Sequence, residues 1–162
     1  MDTPKPTENS FKSKLEKFMA KKLLTYEIDI NASPEKVWHT MLDKETYEQW
    51  TAVFSAGSTY EGSWEEGAEI HFFDPDKSGM KAEIAENRLH EYISIKHLSM
   101  LQNGESVTGD EEWFPSYENY TFTKENDGTH LLVELEIPEE WAEMFDDMWP
   151  KGLQKVKELA ES

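Results

Sequence analysis

The sequence has 162 residues, of which 37% are hydrophobic and 12% aromatic, and its formal net charge is -18. This length predicts a single domain, the aromatic content argues against a disordered chain, and the acidic balance argues against binding to nucleic acid. The sequence contains no cysteine, which excludes disulfides, thiolate metal sites and thiol nucleophiles.

The first 22 residues are predicted to precede a folded domain of residues 23–162. Residues 1–10 are polar and contain two prolines, a composition typical of a loose tail. Apolar residues then recur at helical spacing while lysines lie mostly on the other side, which predicts a basic amphipathic helix over residues 11–22. We expect this helix to dock on the acidic domain, with binding to a membrane or a partner as the alternative.

Membrane insertion and secretion are not favoured by the sequence. No apolar run approaches the roughly 20 residues of a membrane span, and the N-terminal residues lack the apolar stretch of a signal peptide. A cytoplasmic location is therefore the simplest expectation.

A strand followed by a turn into a helix is the first strong pattern. The stretch LLTYEIDI, residues 23–30, alternates apolar and polar residues as a half-buried strand does. Ser33 is suited to cap the helix that follows, and Pro34 is suited to begin it. The helix itself is indicated by apolar residues at helical spacing, namely Val37, Trp38, Met41 and Leu42. A second short helix is predicted over residues 44–50.

The next part of the chain contains short runs in which apolar and polar residues alternate, separated by glycines and an Asp-Pro-Asp turn. This pattern predicts an antiparallel meander with one face exposed to solvent. The predicted strands are residues 68–74, 80–87, 91–100, 116–123 and 129–137, and the polar residues 102–112 are predicted to form a loop. The predicted inward-facing residues are Ile70, Phe72, Met80, Ala82, Ile84, Ile93, Ile95, Tyr120, Phe122, Leu131, Val133, Leu135 and Ile137.

The remaining residues, 138–162, predict a long helix with one apolar stripe able to cover the sheet. Pro150 lies inside this helix and has no amide hydrogen, so we predict a kink or break near residues 146–149. The complete order of elements predicts an α+β fold.

Five stretches carry a resemblance to a known superfamily: ASPEKVW (32–38), YEQW (47–50), YEGSWEEGAEIHFF (60–73), RLHEYISIKH (88–97) and MWPKGLQKVKEL (148–159). With the order of elements, they make residues 23–161 resemble the helix-grip fold of the START-like, or SRPBCC, superfamily. Within it, the chain is most similar to the group named for the activator of the heat-shock protein 90 ATPase. The resemblance implies a curved antiparallel sheet wrapped around a long C-terminal helix, two short helices after the first strand, and an interior cavity. The N-terminal basic helix and Pro150 depart from the family pattern.

Two titratable residues are candidates for polar positions inside the domain. His97 shares a predicted strand face with Ile95, and Glu118 shares one with Tyr120 and Phe122. The alternatives are a half-buried histidine near a strand end, and a bulge or register shift that turns Glu118 outward. The five histidines have no metal-ligand spacing and the acidic clusters have no ordered spacing. The sequence therefore predicts no metal, no cofactor and no catalytic residue.

The abundance of aromatic residues indicates a large apolar interior, and the resemblance favours a cavity within it. The predicted cavity residues are Trp64, Phe72, Ile84, Ile95, His97, Glu118, Tyr120, Phe122, Val133, Trp141, Phe145 and Met148. The leading hypothesis is non-catalytic binding of a small hydrophobic molecule between the sheet and the C-terminal helix. The first alternative is a protein-interaction module, such as a regulator of a heat-shock protein 90 ATPase. The second is a cyclase or dehydratase, which requires a polar pair inside the cavity.

Overall fold

The computed structural model describes residues 21–107 and 114–162, so the predicted amphipathic helix lies outside the described residues except for its last two positions. Those two positions, Lys21 and Lys22, belong to the first strand, which begins two residues before the predicted start. In chain order the described elements are β1 (Lys21–Ile30), α1 (Pro34–Leu42), α2 (Lys44–Thr51), β2 (Thr59–Gly62), β3 (Glu69–Phe73), β4 (Gly79–Arg88), β5 (Tyr92–Gln102), β6 (Glu105–Val107), β7 (Ser116–Glu125), β8 (Gly128–Pro138), a 3₁₀ turn (Glu139–Trp141) and α3 (Ala142–Glu161).

The strands form one curved, open antiparallel sheet in the order β1-β8-β7-β5-β4-β3-β2, with β6 paired to β5. Both the α+β class and the helix-grip arrangement of sheet and long C-terminal helix are confirmed. Two strands were not predicted. The strand β2 has only four residues and ends at a glycine, and β6 is a three-residue exposed strand within the predicted loop.

The turn from β1 into α1 has the predicted geometry. Ser33 Oγ accepts a hydrogen bond from the Lys36 amide at 3.2 Å, and Pro34 is the first helical residue. Glu35 lies in the first turn, where the helix dipole favours a negative charge. Ser33 and Pro34 are thus accounted for as structural residues that direct the chain into the two short helices.

The hydrophobic core lies between the inner face of the sheet and the helices. The predicted inward-facing residues are buried there, except that Phe72 and Met80 remain partly exposed. Strand alternation therefore identified the inner face correctly, even though β4 and β5 contain two register irregularities, next to Ala82 and Ile84.

The helix α3 runs without interruption from Ala142 to Glu161. The predicted break near Pro150 therefore does not occur, and a kink there stays a prediction. Both Pro150 and Asp146, whose carbonyl would accept the missing hydrogen bond, lie on the exposed side, so solvent can hydrate that carbonyl. The helix also starts later than predicted, because β8 continues to Pro138 and the 3₁₀ turn intervenes. No helix in the described part of the chain combines the length and apolarity needed to cross a bilayer.

Candidate functional site

A cavity of about 320 Å³ lies between the sheet, α2 and the first half of α3. Its walls are predominantly aromatic and aliphatic: Tyr47, Trp50, Phe54, Phe72, Phe73, Met80, Tyr120, Leu135, Ile137, Trp141, Phe145 and Trp149. Short polar residues of the α2–β2 loop and the β3–β4 turn also line it, namely Ser55, Ser58, Asp74 and Ser78. The remaining polar lining is contributed mainly by His97, Ser116, Glu118 and Glu136.

The helix α2 contributes one wall through aromatic residues at helical spacing. Tyr47 packs edge-on against Tyr60, with ring centroids 5.0 Å apart. Trp50 and Phe54 contact Trp149 of α3, at centroid distances of 5.7 and 5.1 Å. Aromatic pairs in such tilted and edge-on arrangements stabilise a fold beyond their buried area. The aromatic contacts therefore fix α2 and α3 relative to each other around the cavity.

Hydrogen bonds to the C-terminal end of α1 also fix this wall. The last carbonyls of a helix have no partner within the helix, and here aromatic side chains supply donors. Trp50 Nε1 donates to the Met41 carbonyl at 3.1 Å. The Tyr60 hydroxyl and Trp64 Nε1 both donate to the Leu42 carbonyl, at 2.6 and 3.0 Å.

Three polar side chains form a connected group beside the cavity, which we call the polar triad (His97, Glu118 and Tyr120). His97 Nε2 lies 2.9 Å from Glu118 Oε1, and the Tyr120 hydroxyl donates to Glu118 Oε2. His97 is only 6% exposed, and the Glu118 side chain is 20% exposed. Both residues lie inside the domain, as strand alternation predicted.

Burial shifts the pKa values of the tyrosines near the triad. It raises the pKa of Tyr120, and the negative charge of Glu118 raises it further. Burial likewise raises the pKa of Tyr47, again with a contribution from Glu118. Since the neutral form is favoured in both cases, each phenol remains a hydrogen-bond donor at neutral pH.

The twelve predicted cavity residues fall into two equal groups. Six line the cavity: Phe72, His97, Glu118, Tyr120, Trp141 and Phe145. Four of the others, Ile84, Ile95, Phe122 and Val133, are buried in the hydrophobic core, and Trp64 packs against that core. Met148 is partly buried on α3 and does not line the cavity. The role of any of these residues in ligand binding stays a prediction.

Several lining residues were missed by the sequence analysis. Tyr47, Trp50 and Phe54 on and after α2 are the largest omission, although their spacing of three and four residues marks one helical face. Leu135 and Ile137 were predicted only as inward-facing, because alternation does not reveal which part of a strand borders a void.

Within residues 21–107 and 114–162, two groups of potential metal ligands lie outside the cavity, each with its donor atoms within 4.8 Å of one another. The first consists of Glu35, His39 and His90, and the second of Asp29, Glu125 and His130. In the second group His130 is hydrogen-bonded through both ring nitrogens, at 2.7 Å to Asp29 and 3.0 Å to Glu27. That arrangement is an ion-pair cluster around a histidine.

Comparisons with known proteins agree with this architecture. Solved structures similar to the chain include protein MLL2253 from Mesorhizobium loti, with 19% identity, a TM-score of 0.64, and coverage of 85% of this chain and 96% of that one. The Aha1 dimer from Colwellia psychrerythraea has 15% identity, a TM-score of 0.68, and coverage of 86% and 96%. ChR145 from Cytophaga hutchinsonii has 20% identity, a TM-score of 0.65, and coverage of 86% and 94%.

At these identities the solved structures establish the fold and leave the activity open. No curated protein matches the sequence significantly. The sequence model of the family described as activator of Hsp90 ATPase homolog 1-like protein matches residues 31–161. The chain therefore belongs to the activator of Hsp90 ATPase homolog 1-like family.

Proposed function

We propose that this domain binds a small, predominantly apolar molecule in the cavity between the sheet and α3. The supporting observation is a void of about 320 Å³ with aromatic walls and one group of polar side chains. Small-molecule sites typically begin at about 300 Å³ and combine apolar walls with a few placed polar groups. A void of this size suits a small ligand.

The polar lining suggests which ligand group is recognised. Tyr47 lines the cavity, and its hydroxyl makes no hydrogen bond within residues 21–107 and 114–162. Burial raises its pKa further above neutral pH, so this hydroxyl is a hydrogen-bond donor. A donor without a protein partner gains free energy when a ligand supplies an acceptor. A ligand with an apolar body and a carbonyl, ether or hydroxyl oxygen fits this position.

The charge of the site restricts the ligand further. Asp74, Glu118 and Glu136 line the cavity, and the whole chain has a net charge of -18. This potential repels anions and raises the local concentration of cations. We therefore expect a neutral ligand to bind better than a carboxylate or phosphate of the same shape.

Native mass spectrometry of protein purified from its own host tests the proposal. We expect a retained small molecule, which a cavity-filling Leu135→Trp variant loses. Leu23→Trp, at a residue that is 61% exposed on β1, is the matched control and should retain the molecule. Circular dichroism establishes that both variants are folded. If neither a retained molecule nor binding of the neutral dye Nile red is found in the wild-type protein, the proposal is wrong.

A second candidate function is regulation of a partner ATPase. It is supported by the family assignment and by the similarity to the Aha1 dimer from Colwellia psychrerythraea, and the acidic charge suits a basic partner surface. A pull-down with the Hsp90-type chaperone of the same host, at low and high salt, tests it. Absence of specific binding at low salt would count against this function. Leu135→Trp should leave such binding unchanged, which separates the two functions.

Enzymatic activity of the cyclase or dehydratase type is the third possibility. Its support is the burial of His97 and Glu118 beside the cavity. Proton transfer requires such a pair within reach of a substrate.

A further inference from the structure

We infer that Glu35, His39 and His90 form a binding site for a divalent transition-metal ion, with Zn²⁺ as the representative ion. Glu35 and His39 are four residues apart on α1, so their side chains lie on the same face of the helix. His90 comes from the turn between β4 and β5 and faces His39, with ring centroids 5.7 Å apart. One donor atom from each of the three residues lies within 4.8 Å of the others.

A carboxylate orients one of the two imidazoles. His39 Nδ1 lies 3.1 Å from Asp43 Oδ1, which leaves Nε2 for another partner. Histidines that bind metals usually donate their other ring N–H to a carboxylate or carbonyl, which fixes the tautomer and strengthens the ligand. Asp43 has the position and chemistry of such an orienting residue.

The backbone and a tryptophan hold the second imidazole in place. His90 has a φ of 64°, in the left-handed region that residues other than glycine rarely adopt. Its ring packs edge-on against Trp38 of α1, at a centroid distance of 5.9 Å. An unfavourable backbone conformation persists where the surroundings determine it, and such residues cluster at functional positions. The turn therefore presents His90 toward α1 at an energetic cost.

The donor types indicate the class of ion. Two imidazoles and one carboxylate form the ligand set of open zinc sites, which leave a fourth position for water or a substrate. Calcium and magnesium prefer oxygen ligands only, whereas imidazole suits zinc, copper and nickel. Donor atoms of a tetrahedral zinc site are about 3.4 Å apart. Because Glu35 and His39 are exposed, their side chains can rotate to close the present separation.

The site is independent of the proposed ligand cavity, since none of its three residues lines that cavity. It also differs from the cluster around His130. There both ring nitrogens are already hydrogen-bonded to carboxylates, and the pKa of His130 is raised, mainly by Asp29. A metal would have to displace those bonds and a proton, which favours the site at His39.

Isothermal titration of Zn²⁺ into the chelator-treated full chain tests the inference. We expect one ion to bind per chain, and we expect His39→Ala and His90→Ala each to weaken the affinity at least about tenfold. His71→Ala, on β3 and outside both clusters, is the matched control and should bind like the wild type. Zinc should raise the melting temperature of the wild-type and control proteins, and much less that of the His39 and His90 variants.

Asp43→Asn distinguishes a built site from casual binding at surface histidines. Its side chain makes no capping bond to α2, so the substitution should not unfold that helix. An orienting role predicts an affinity loss of about 10-fold to 100-fold. The inference is overturned if the wild-type chain shows no binding up to about 1 mM Zn²⁺, or if the His39 and His90 variants, each folded by circular dichroism, bind as well as wild type. It is also overturned if the Asp43 variant binds as tightly as the wild type.

Discussion

His97 and Glu118 lie on the neighbouring strands β5 and β7 and are joined by a hydrogen bond of 2.9 Å beside the cavity. The second oxygen of Glu118 accepts a hydrogen bond from Tyr120. A single carboxylate thus bonds to a histidine and a tyrosine that are both buried, while His97 Nδ1 has no hydrogen-bond partner among the described residues. Because unpaired polar groups are costly in a low-dielectric interior, this carboxylate should contribute to stability whether or not a ligand is bound.

We predict that Glu118→Ala lowers the free energy of unfolding by about 2–4 kcal/mol, since it leaves His97 and Tyr120 without their partner. Glu118→Gln retains an acceptor and should lower it less. Urea denaturation followed by tryptophan fluorescence measures both. Glu61→Ala, an exposed carboxylate on β2, is the control and should change stability by less than about 0.5 kcal/mol. Equal stability of the Glu118→Ala and control variants would contradict the prediction.

The Leu42 carbonyl accepts hydrogen bonds from both Tyr60 and Trp64. We therefore predict that removing these two donors has a non-additive effect on stability. Tyr60→Phe leaves Trp64 Nε1 bonded to that carbonyl at 3.0 Å. This single change should therefore lower the free energy of unfolding by about 1 kcal/mol. Combining Tyr60→Phe with Trp64→Phe removes both side-chain donors. The double variant should therefore be less stable than the sum of the single changes by more than about 0.5 kcal/mol. A double-mutant cycle in urea tests this, and strict additivity would contradict it.

The fold was predictable from sequence because its main signals are local. Alternation along β4, β5, β7 and β8 identified the buried face, and the Ser33-Pro34 pair identified the start of α1. The strand β6 was missed because its three residues are all exposed and carry no alternation of burial. Of the predicted kink or break at Pro150, the break was wrong, because one missing hydrogen bond on the solvent side does not outweigh the packing of the helix around it.

The site was less predictable because it depends on distances between elements. Strand alternation placed His97 and Glu118 inside, and they meet on neighbouring strands. It did not separate Ile84 or Val133, which are fully buried in the core, from Leu135, which borders the cavity. His39 and His90 are 51 residues apart in the chain, so no motif spacing could have suggested a joint ligand set. Only the packing of the β4–β5 turn against α1 brings them together.

Gly79 begins β4 at the edge of the cavity, where two backbones approach closely. A Cβ atom built there would lie 1.9 Å from the Phe72 carbonyl oxygen and 2.8 Å from Phe73 Cα. Both obstacles are backbone atoms, so strands β3 and β4 would have to separate. We predict that Gly79→Ala lowers stability by about 1–3 kcal/mol and weakens binding in the cavity. Thermal melting and Nile red binding measure the two effects, and wild-type values for both would contradict the prediction.

The ion-pair cluster around His130 predicts a pH dependence of stability. Hydrogen bonds to Asp29 and then Glu27 raise the pKa of His130 above its ordinary value of 6.5. The hydrogen bond from His130 holds the pKa of Asp29 below its ordinary value of 3.8. Because its pKa is raised on folding, His130 stabilises the fold at pH values below the unfolded-state pKa of histidine. This stabilisation is lost as the pH rises through the folded-state pKa of His130. The lowered pKa of Asp29 stabilises the fold at pH values above the unfolded-state pKa of this carboxyl, and this stabilisation is lost as the pH falls through the folded-state pKa.

The ion-pair cluster around His130 should therefore stabilise the fold most between about pH 4 and pH 6.5, and less above pH 6.5. We predict that the difference in melting temperature between the wild type and His130→Ala shrinks as pH is raised from about 6 to about 8. High salt should reduce the difference at pH 6, because the carboxylates of Asp29 and Glu27 are solvent-exposed and salt screens them. A melting-temperature difference that stays constant with both pH and salt would show that His130 stabilises the sheet by packing alone.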